Sequence, residues 1–205
     1  MRHAKHRKRR HSYGTKLALI ALTLVAGGGA FVGTLSAFSS TTSNPANTFT
    51  SGTVALSDND LGAAMLALTG AKPGDVDTSC IRVSYAGSLP STVRLYGTTT
   101  GTGLDAYLTL TVTRGTLSTA FDNCTGFTAD ATDYNGNGAG VVYTGTLQAF
   151  ADDYAGAIVD PKAATPESWT TSETHDYKFV VTVVDSDSAQ GKNATQTFTW
   201  EARNS

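Results

Sequence analysis

Apolar residues alternate with small or polar residues in short blocks along most of this chain, and glycine, proline, asparagine and aspartate separate the blocks. Successive side chains of a strand point to opposite faces, so a period of two is typical of half-buried strands. The pattern predicts an all-β fold, an antiparallel sandwich or barrel. The predicted inward stripes are Val54 with Leu56; Ile81, Val83 and Tyr85; Val93 with Leu95; Leu108, Leu110 and Val112; Phe179, Val181 and Val183; and Phe198, Trp200 and Ala202.

Three segments depart from this alternation. The helical spacing i, i+3, i+4, i+7 occurs at Leu147, Phe150, Ala151 and Tyr154. It predicts a short helix over residues 146–155 that caps one end of the sandwich. Residues 63–68 are a continuous apolar run, which fits either a buried strand or a second short helix. The polar residues 187–193 are expected to connect the last two strands as a hairpin.

The first 37 residues have a different character. Seven lysines and arginines precede an uncharged apolar stretch over residues 17–35, which ends in small residues. These are the three parts of a secretory signal peptide, with cleavage expected between Ala37 and Phe38. The alternative is an uncleaved membrane anchor, since about nineteen apolar residues can cross a hydrocarbon core of roughly 30 Å as a helix. Three consecutive glycines within the stretch weaken that helix and favour cleavage.

Cleavage changes the charge of the protein. It removes seven of fifteen basic residues and no acidic ones, which leaves eight basic against seventeen acidic residues and a formal charge of −9. An acidic exported chain is a poor partner for nucleic acid, so we expect none. The expected organisation is a signal peptide over 1–37, a flexible arm over 38–47 and one β-sandwich domain over 48–205. Contact with a membrane is expected only through an uncleaved signal.

Both cysteines, Cys80 and Cys124, lie in the exported part. A disulfide persists in an oxidising compartment, so the pair is predicted to be bridged, and two buried free thiols are the alternative. Zinc or thiol chemistry is not expected, because there is no C-x-x-C motif and His175 is the single histidine after residue 37.

Several short motifs occur in an order that resembles a known family. They are the glycine-rich signal ending in Ala37-Phe38; the block Thr48-Phe49-Thr50-Ser51-Gly52-Thr53 with Leu56-Ser57; Lys72-Pro73-Gly74-Asp75; Gly87-Ser88-Leu89; and Phe198-Thr199-Trp200-Glu201-Ala202. This order is similar to that of the TasA/camelysin family, secreted Gram-positive proteins processed by a signal peptidase of the SipW type. The resemblance covers residues 27–96 and 177–203, and this chain departs from the family in its cysteine pair and its central segment.

The resemblance implies a jelly-roll-like sandwich and a subunit of a biofilm-matrix or cell-surface fibre. In the family, the mature N-terminal segment of one subunit adds as a strand to the sheet of the next. Here the residues assigned to assembly are Phe38 and Pro45 in the arm and Phe49 just after it, and we expect the arm to be loose in an isolated subunit. A sheet edge can pair with such an extended segment, although Pro45 lacks a donor and limits the added strand. The alternative is a flexible leader without a role.

The sequence has few features of a catalytic site. There is no H-E-x-x-H or G-x-S-x-G motif, so we expect no enzyme and no cofactor. His175, placed just before a strand, is expected to be a satisfied loop histidine. Asp133, Asn135 and Asn137 copy the start of a calcium loop, but position twelve is Thr144, so an Asn/Gly-rich turn is favoured over calcium. The functional alternatives are a monomeric secreted adhesin or binding module and a camelysin-like metalloprotease.

Overall fold

A computed structural model of the chain describes residues 39–43, 54–118, 121–161 and 166–204, with backbone only for 39–43. All of them belong to the unit that runs from residue 38 to 205. The strands are β1 (Ser39–Ser43), β2 (Leu56–Asp58), β3 (Val76–Tyr85), β4 (Ser91–Gly101), β5 (Leu108–Thr116), β6 (Thr128–Ala129), β7 (Val141–Thr146), β8 (Ile158–Val159), β9 (Ser168–Trp169), β10 (Glu173–Val183) and β11 (Ala194–Asn204).

These strands form two antiparallel sheets. The first has the order β1-β11-β4-β8, with β9 also pairing with β4. The second has the order β2-β3-β10-β5-β6, with β7 also pairing with β5. The described helices are three short 3-10 turns, Leu104–Tyr107, Leu147–Ala149 and Asp187–Ala189. The all-β sandwich prediction is therefore confirmed, and the jelly-roll connectivity stays a prediction.

The core lies between the sheets, where the predicted stripes meet. Every residue of those stripes is buried. The ring of Phe198 on β11 lies 4.7 Å from that of Phe179 on β10, and the ring of Trp200 lies 5.4 Å from that of Tyr177. Fully burying such a side chain stabilises the fold by roughly 1.5–3 kcal/mol. The period-two pattern thus identified the inner face of both sheets.

The helix predicted over residues 146–155 is wrong. Only Leu147–Ala149 forms a 3-10 turn, and Phe150 already has an extended backbone, with φ −67° and ψ 134°. The carbonyl of Ala151 accepts a hydrogen bond from the Gly97 N–H of β4. Phe150 packs edge-on against Phe198, with ring centroids 5.5 Å apart. These tertiary contacts bury the apolar residues without a helix.

Two further expectations about connections need correction. Strands β10 and β11 belong to different sheets, so residues 187–193 cross between the sheets and do not form a hairpin. Residues 63–68 are irregular, neither strand nor helix. Met65 of that segment is nevertheless buried in the core. A local pattern does not specify which sheet the next strand joins.

The predicted disulfide is confirmed. Cys80 of β3 is bonded to Cys124, in the segment after β5, with Cα atoms 5.2 Å apart. The Asp122 N–H donates to the Cys80 carbonyl at 3.0 Å, which holds the same segment against β3. Cys80 is fully buried. The bridge therefore fixes a connecting segment to the six-stranded sheet.

Candidate functional site at the edge of strand β11

Strand β11 pairs with β1, which is the outermost described strand on that side of the sheet. β1 pairs with it antiparallel, with Ser39 opposite Arg203 and Ser43 opposite Thr199. β11 has eleven residues and β1 has five, so β1 covers only the C-terminal half of this edge. We expected residues 38–47 to be loose in an isolated subunit; instead, residues 39–43 pair with β11 of their own chain. The open edge offers main-chain partners, and threonine favours strands.

The hydrogen-bonding direction along β11 follows from its other neighbour, β4. Gly97 of β4 lies opposite Phe198, and its N–H donates to Ala151, away from β11. The two residues are thus a non-hydrogen-bonded pair, so the N–H and C=O of Phe198 point to the outer edge. By alternation, the same holds for Ala194, Gln196, Trp200 and Ala202. The last two face β1, where Thr42 and Ser40 lie opposite them.

The inner face of β11 is anchored in the core. Phe198 and Trp200 both pack against Phe179 of the opposite sheet, with ring centroids 4.7 and 5.9 Å apart. Ala202 is fully buried. β11 is therefore a fixed template, whose outer main-chain groups can accept a strand without movement of the core.

Most of the site residues predicted for cleavage and for the arm lie outside the part of the chain that the structure describes. The cleavage residues Ala37 and Phe38, and the assembly residues Pro45 and Phe49, lie outside the described residues. Their roles stay predictions. The arm contributes Ser39–Ser43 to the described structure, and this strand lies directly after the predicted cleavage position.

The sequence analysis missed a partly buried ionic cluster, in which Arg114 and Asp160 are buried and Glu167 is exposed. Arg114 of β5 is its centre: Nη2 donates to Glu167 at 2.6 Å, and Nη1 lies 3.3 Å from Asp130. Its Nε lies 3.4 Å from Asp160, which follows β8. Nη2 also lies 2.7 Å from both ring nitrogens of His175. Residues from both sheets thus meet around one guanidinium group.

The burial of this cluster alters its protonation. Burial raises the pKa of Asp160 to about 6, against the opposing effect of Arg114 and His175. Burial opposes the charge of Arg114, but Asp160, Tyr177 and Glu167 raise its pKa above the ordinary value. The Trp169 indole N–H donates to Asp160 at 2.9 Å. The guanidinium is therefore cationic throughout the physiological range.

Three residues of the cluster have the chemistry of metal ligands. Asp160, Glu167 and His175 each offer one ligand atom, and these atoms lie within 4.8 Å of one another. Arg114 Nη2 already contacts Glu167 and His175 at hydrogen-bond distance. A metal ion there would meet the guanidinium charge at close range, so Arg114 serves as the cation of this cluster. We assign the cluster a structural role in joining the sheets.

His175 is satisfied, as expected, but it does not lie in a loop. It belongs to β10, and its side chain is 17% exposed. Its Nε2 lies 2.8 Å from Glu173, and its ring packs against Trp169 at 4.5 Å. Trp169 and Trp200 are both fully buried, so each is a core residue. This histidine therefore has packing and polar partners that account for its position.

The calcium candidates form a hydrogen-bonded turn. Asp133 Oδ1 accepts from the N–H groups of Asn135 and Gly136, and Asn135 Oδ1 accepts from Asn137. Although desolvation acts in the opposite direction, backbone donors led by Gly136 lower the pKa of Asp133. The carboxylate therefore faces positive N–H dipoles of its own loop. This is the turn geometry that asparagine and glycine favour.

The comparisons with known proteins give no family for this chain. A scan against models of known protein families and a search of curated proteins both find no match. Within the described ranges, none of the helices has the length and apolar character needed to cross a membrane. The candidate site therefore rests on the geometry of the sheets.

Proposed function

We propose that this protein is an exported structural subunit of an extracellular biofilm-matrix or cell-surface fibre. In this proposal, a signal peptidase of the SipW type cuts between Ala37 and Phe38. The freed arm, residues 38–47, then adds as a strand to the β11 edge of the next subunit in a jelly-roll-like sandwich. Self-association is thus the principal interaction, with no catalysis and no cofactor.

The observation that carries this proposal is the pairing of β1 with β11. β1 is short, lies at a sheet edge, and consists only of serine and threonine. Its main-chain bonds to Trp200 and Ala202 do not depend on side-chain identity. The same segment of a neighbouring subunit can form the same bonds, as in domain swapping.

The arm of the same chain competes with that exchange. A segment held by a short flexible linker has an effective concentration at its own binding site on the order of millimolar. An arriving arm must exceed this local concentration or meet an acceptor whose own arm is displaced. Assembly by this route is therefore expected to depend steeply on protein concentration.

One feature of the sequence and one of the structure support export. The basic head and apolar segment of the first 37 residues have the organisation of a signal peptide. The bond between Cys80 and Cys124 is of the kind that persists in oxidising compartments. An acidic, serine- and threonine-rich exported chain is compatible with a matrix protein.

Removal of residues 38–47 tests the proposal. We expect the truncated protein to remain folded, with an unchanged circular-dichroism spectrum, and to form no filaments by electron microscopy. Equal polymerisation of the truncated and mature proteins would show that the arm is not the connecting strand. A mature protein that stays monomeric and binds a glycan or protein would indicate a binding module. Hydrolysis lost in His175→Ala would indicate an enzyme.

A further inference from the structure

The N-terminal half of β11 presents an open hydrogen-bonding edge. β1 ends opposite Thr199, and among the described residues no strand pairs with the outer side of residues 194–198. The N–H and C=O groups of Ala194, Gln196 and Phe198 point to this side. Six main-chain groups are thus available to a strand that is not β1.

An apolar cavity lies directly beside this open edge. It has a volume of about 490 Å³, and residues 194–198 form one wall. The facing side chains come from both sheets and from the irregular segment after β2, and none of the described lining residues is charged. They include Leu66, Leu104, Leu108, Leu147, Val181 and Phe198. Its volume falls in the range of protein ligand sites, roughly 300–1,000 Å³.

The edge and the cavity require the same kind of occupant. Phe198 points between the sheets, where it contacts Phe179 and Phe150. A strand paired along residues 194–198 therefore sends alternate side chains into the cavity. Unpaired main-chain groups select an extended peptide over a lipid or sugar. The walls are uncharged and mostly apolar, so they favour large apolar side chains at every second position.

The arm of this chain does not meet that requirement. A strand that continued the β1 register would have positions 44, 46 and 48 opposite Phe198, Gln196 and Ala194. The sequence has asparagine, alanine and threonine at those positions. None of them is a large apolar residue, so the arm in this register would leave the cavity unfilled.

We propose that residues 194–198 of β11 and the adjoining cavity form an acceptor site for a segment of a different polypeptide. The occupant is an extended strand with large aliphatic residues at alternate positions. β11 then has two acceptor halves: Thr199 to Arg203 pairs with an arm of this chain, and residues 194–198 pair with the heterologous partner. This goes beyond the proposed fibre and does not depend on it.

The test uses a seven-residue peptide with three leucines at alternate positions, threonines between them and a terminal lysine at each end. We expect saturable binding to the mature protein. Amide exchange at Ala194, Gln196 and Phe198 should slow at least tenfold, whereas Thr195 and Thr197, which face β4, should change little. A peptide with serine in place of the leucines should bind at least tenfold more weakly.

Two matched variants distinguish cavity filling from general surface effects. Ala194→Phe fills the cavity from its wall and is expected to abolish binding of the leucine peptide. Thr78→Phe adds the same ring at an exposed position on β3 of the other sheet, outside the acceptor site, and should leave binding unchanged. If Ala194→Phe unfolds the protein, amide exchange in the unmodified protein tests the proposal instead.

The proposal is overturned if the leucine peptide does not bind, or if a peptide of residues 38–47 protects the same amides equally well. Filament formation after removal of residues 38–47 is a separate readout, so the two proposals can fail independently.

Discussion

Asp160 carries a desolvated carboxyl group that is partnered by a cation but is also costly to ionise. It is 3% exposed, and its neighbours include Arg114 and Trp169. Its pKa of about 6 lies above the ordinary 3.8 because burial disfavours the charged form. The folded protein therefore retains a proton on this residue at pH values where the unfolded chain has released it.

The raised pKa of Asp160 makes the free energy of unfolding depend on pH. The folded state binds more protons than the unfolded state between about pH 4 and 6, so this carboxyl lowers the free energy of unfolding as the pH rises through that window. Across this window the free energy of unfolding falls by at most about 3 kcal/mol, at about 1.4 kcal/mol for each unit by which the pKa is raised. Asp160→Asn should remove this slope in urea unfolding measured from pH 4 to 7. Asp185→Asn, on an exposed side chain, should retain it. Parallel curves for the unmodified protein and Asp160→Asn would contradict the assignment.

The bridge between Cys80 and Cys124 acts at the scale of elements, because it ties strand β3 to the segment after β5. Closing a loop with a sequence separation of 44 stabilises the folded state by about 4 kcal/mol in the chain-entropy model. Cys80→Ala with Cys124→Ala should lower the free energy of unfolding by roughly 2–4 kcal/mol in urea titrations. The β1–β11 edge should be unaffected, so filaments should still form under conditions where the variant is folded. A loss below about 1 kcal/mol would show that the constraint contributes little.

The strands were predictable where their side chains alternate between core and solvent. Phe198, Trp200 and Ala202 illustrate this, because burial on one face leaves a period of two in the sequence. The spacing of Leu147, Phe150 and Tyr154 was misleading, since packing against β4 and β11 buries Phe150 in an extended backbone. That β10 and β11 join separate sheets was not predictable, because it depends on contacts between residues far apart in the sequence.

The candidate site was predictable only in part, for the same reason. The arm was predicted from its position after the expected signal peptide and from its polar composition, but the pairing of Ser39–Ser43 with β11 was not predicted. Arg114 and Asp160 are 46 positions apart in the chain, and no local pattern connects them. Only the fold brings their charges within 3.4 Å. The open half of β11 was also not predictable from the sequence, because it results from β1 being shorter than β11.

At the scale of the whole molecule, an apolar core joins the two sheets, an ionic cluster links them, and β11 lies near one sheet edge as a template for β1. The core holds β11 in place through Phe198 and Trp200. The outer side of the same strand pairs with a segment that follows the predicted cleavage position. In the proposed fibre, β11 would be the acceptor and residues 38–47 the donor, the two components that polymerisation by strand addition requires.

The most direct test is a pair of proline substitutions in the arm of the mature protein. Thr42 is opposite Trp200 and donates its N–H toward β11, whereas the N–H of Thr41 points away from it. Thr42→Pro removes a ladder bond and should abolish filaments or raise the protein concentration needed to form them at least tenfold. The Thr41→Pro variant has the same amino-acid composition as Thr42→Pro but retains the Thr42 donor. Its filaments should therefore still be seen by electron microscopy. Filaments of equal yield in both variants would contradict strand addition at β11.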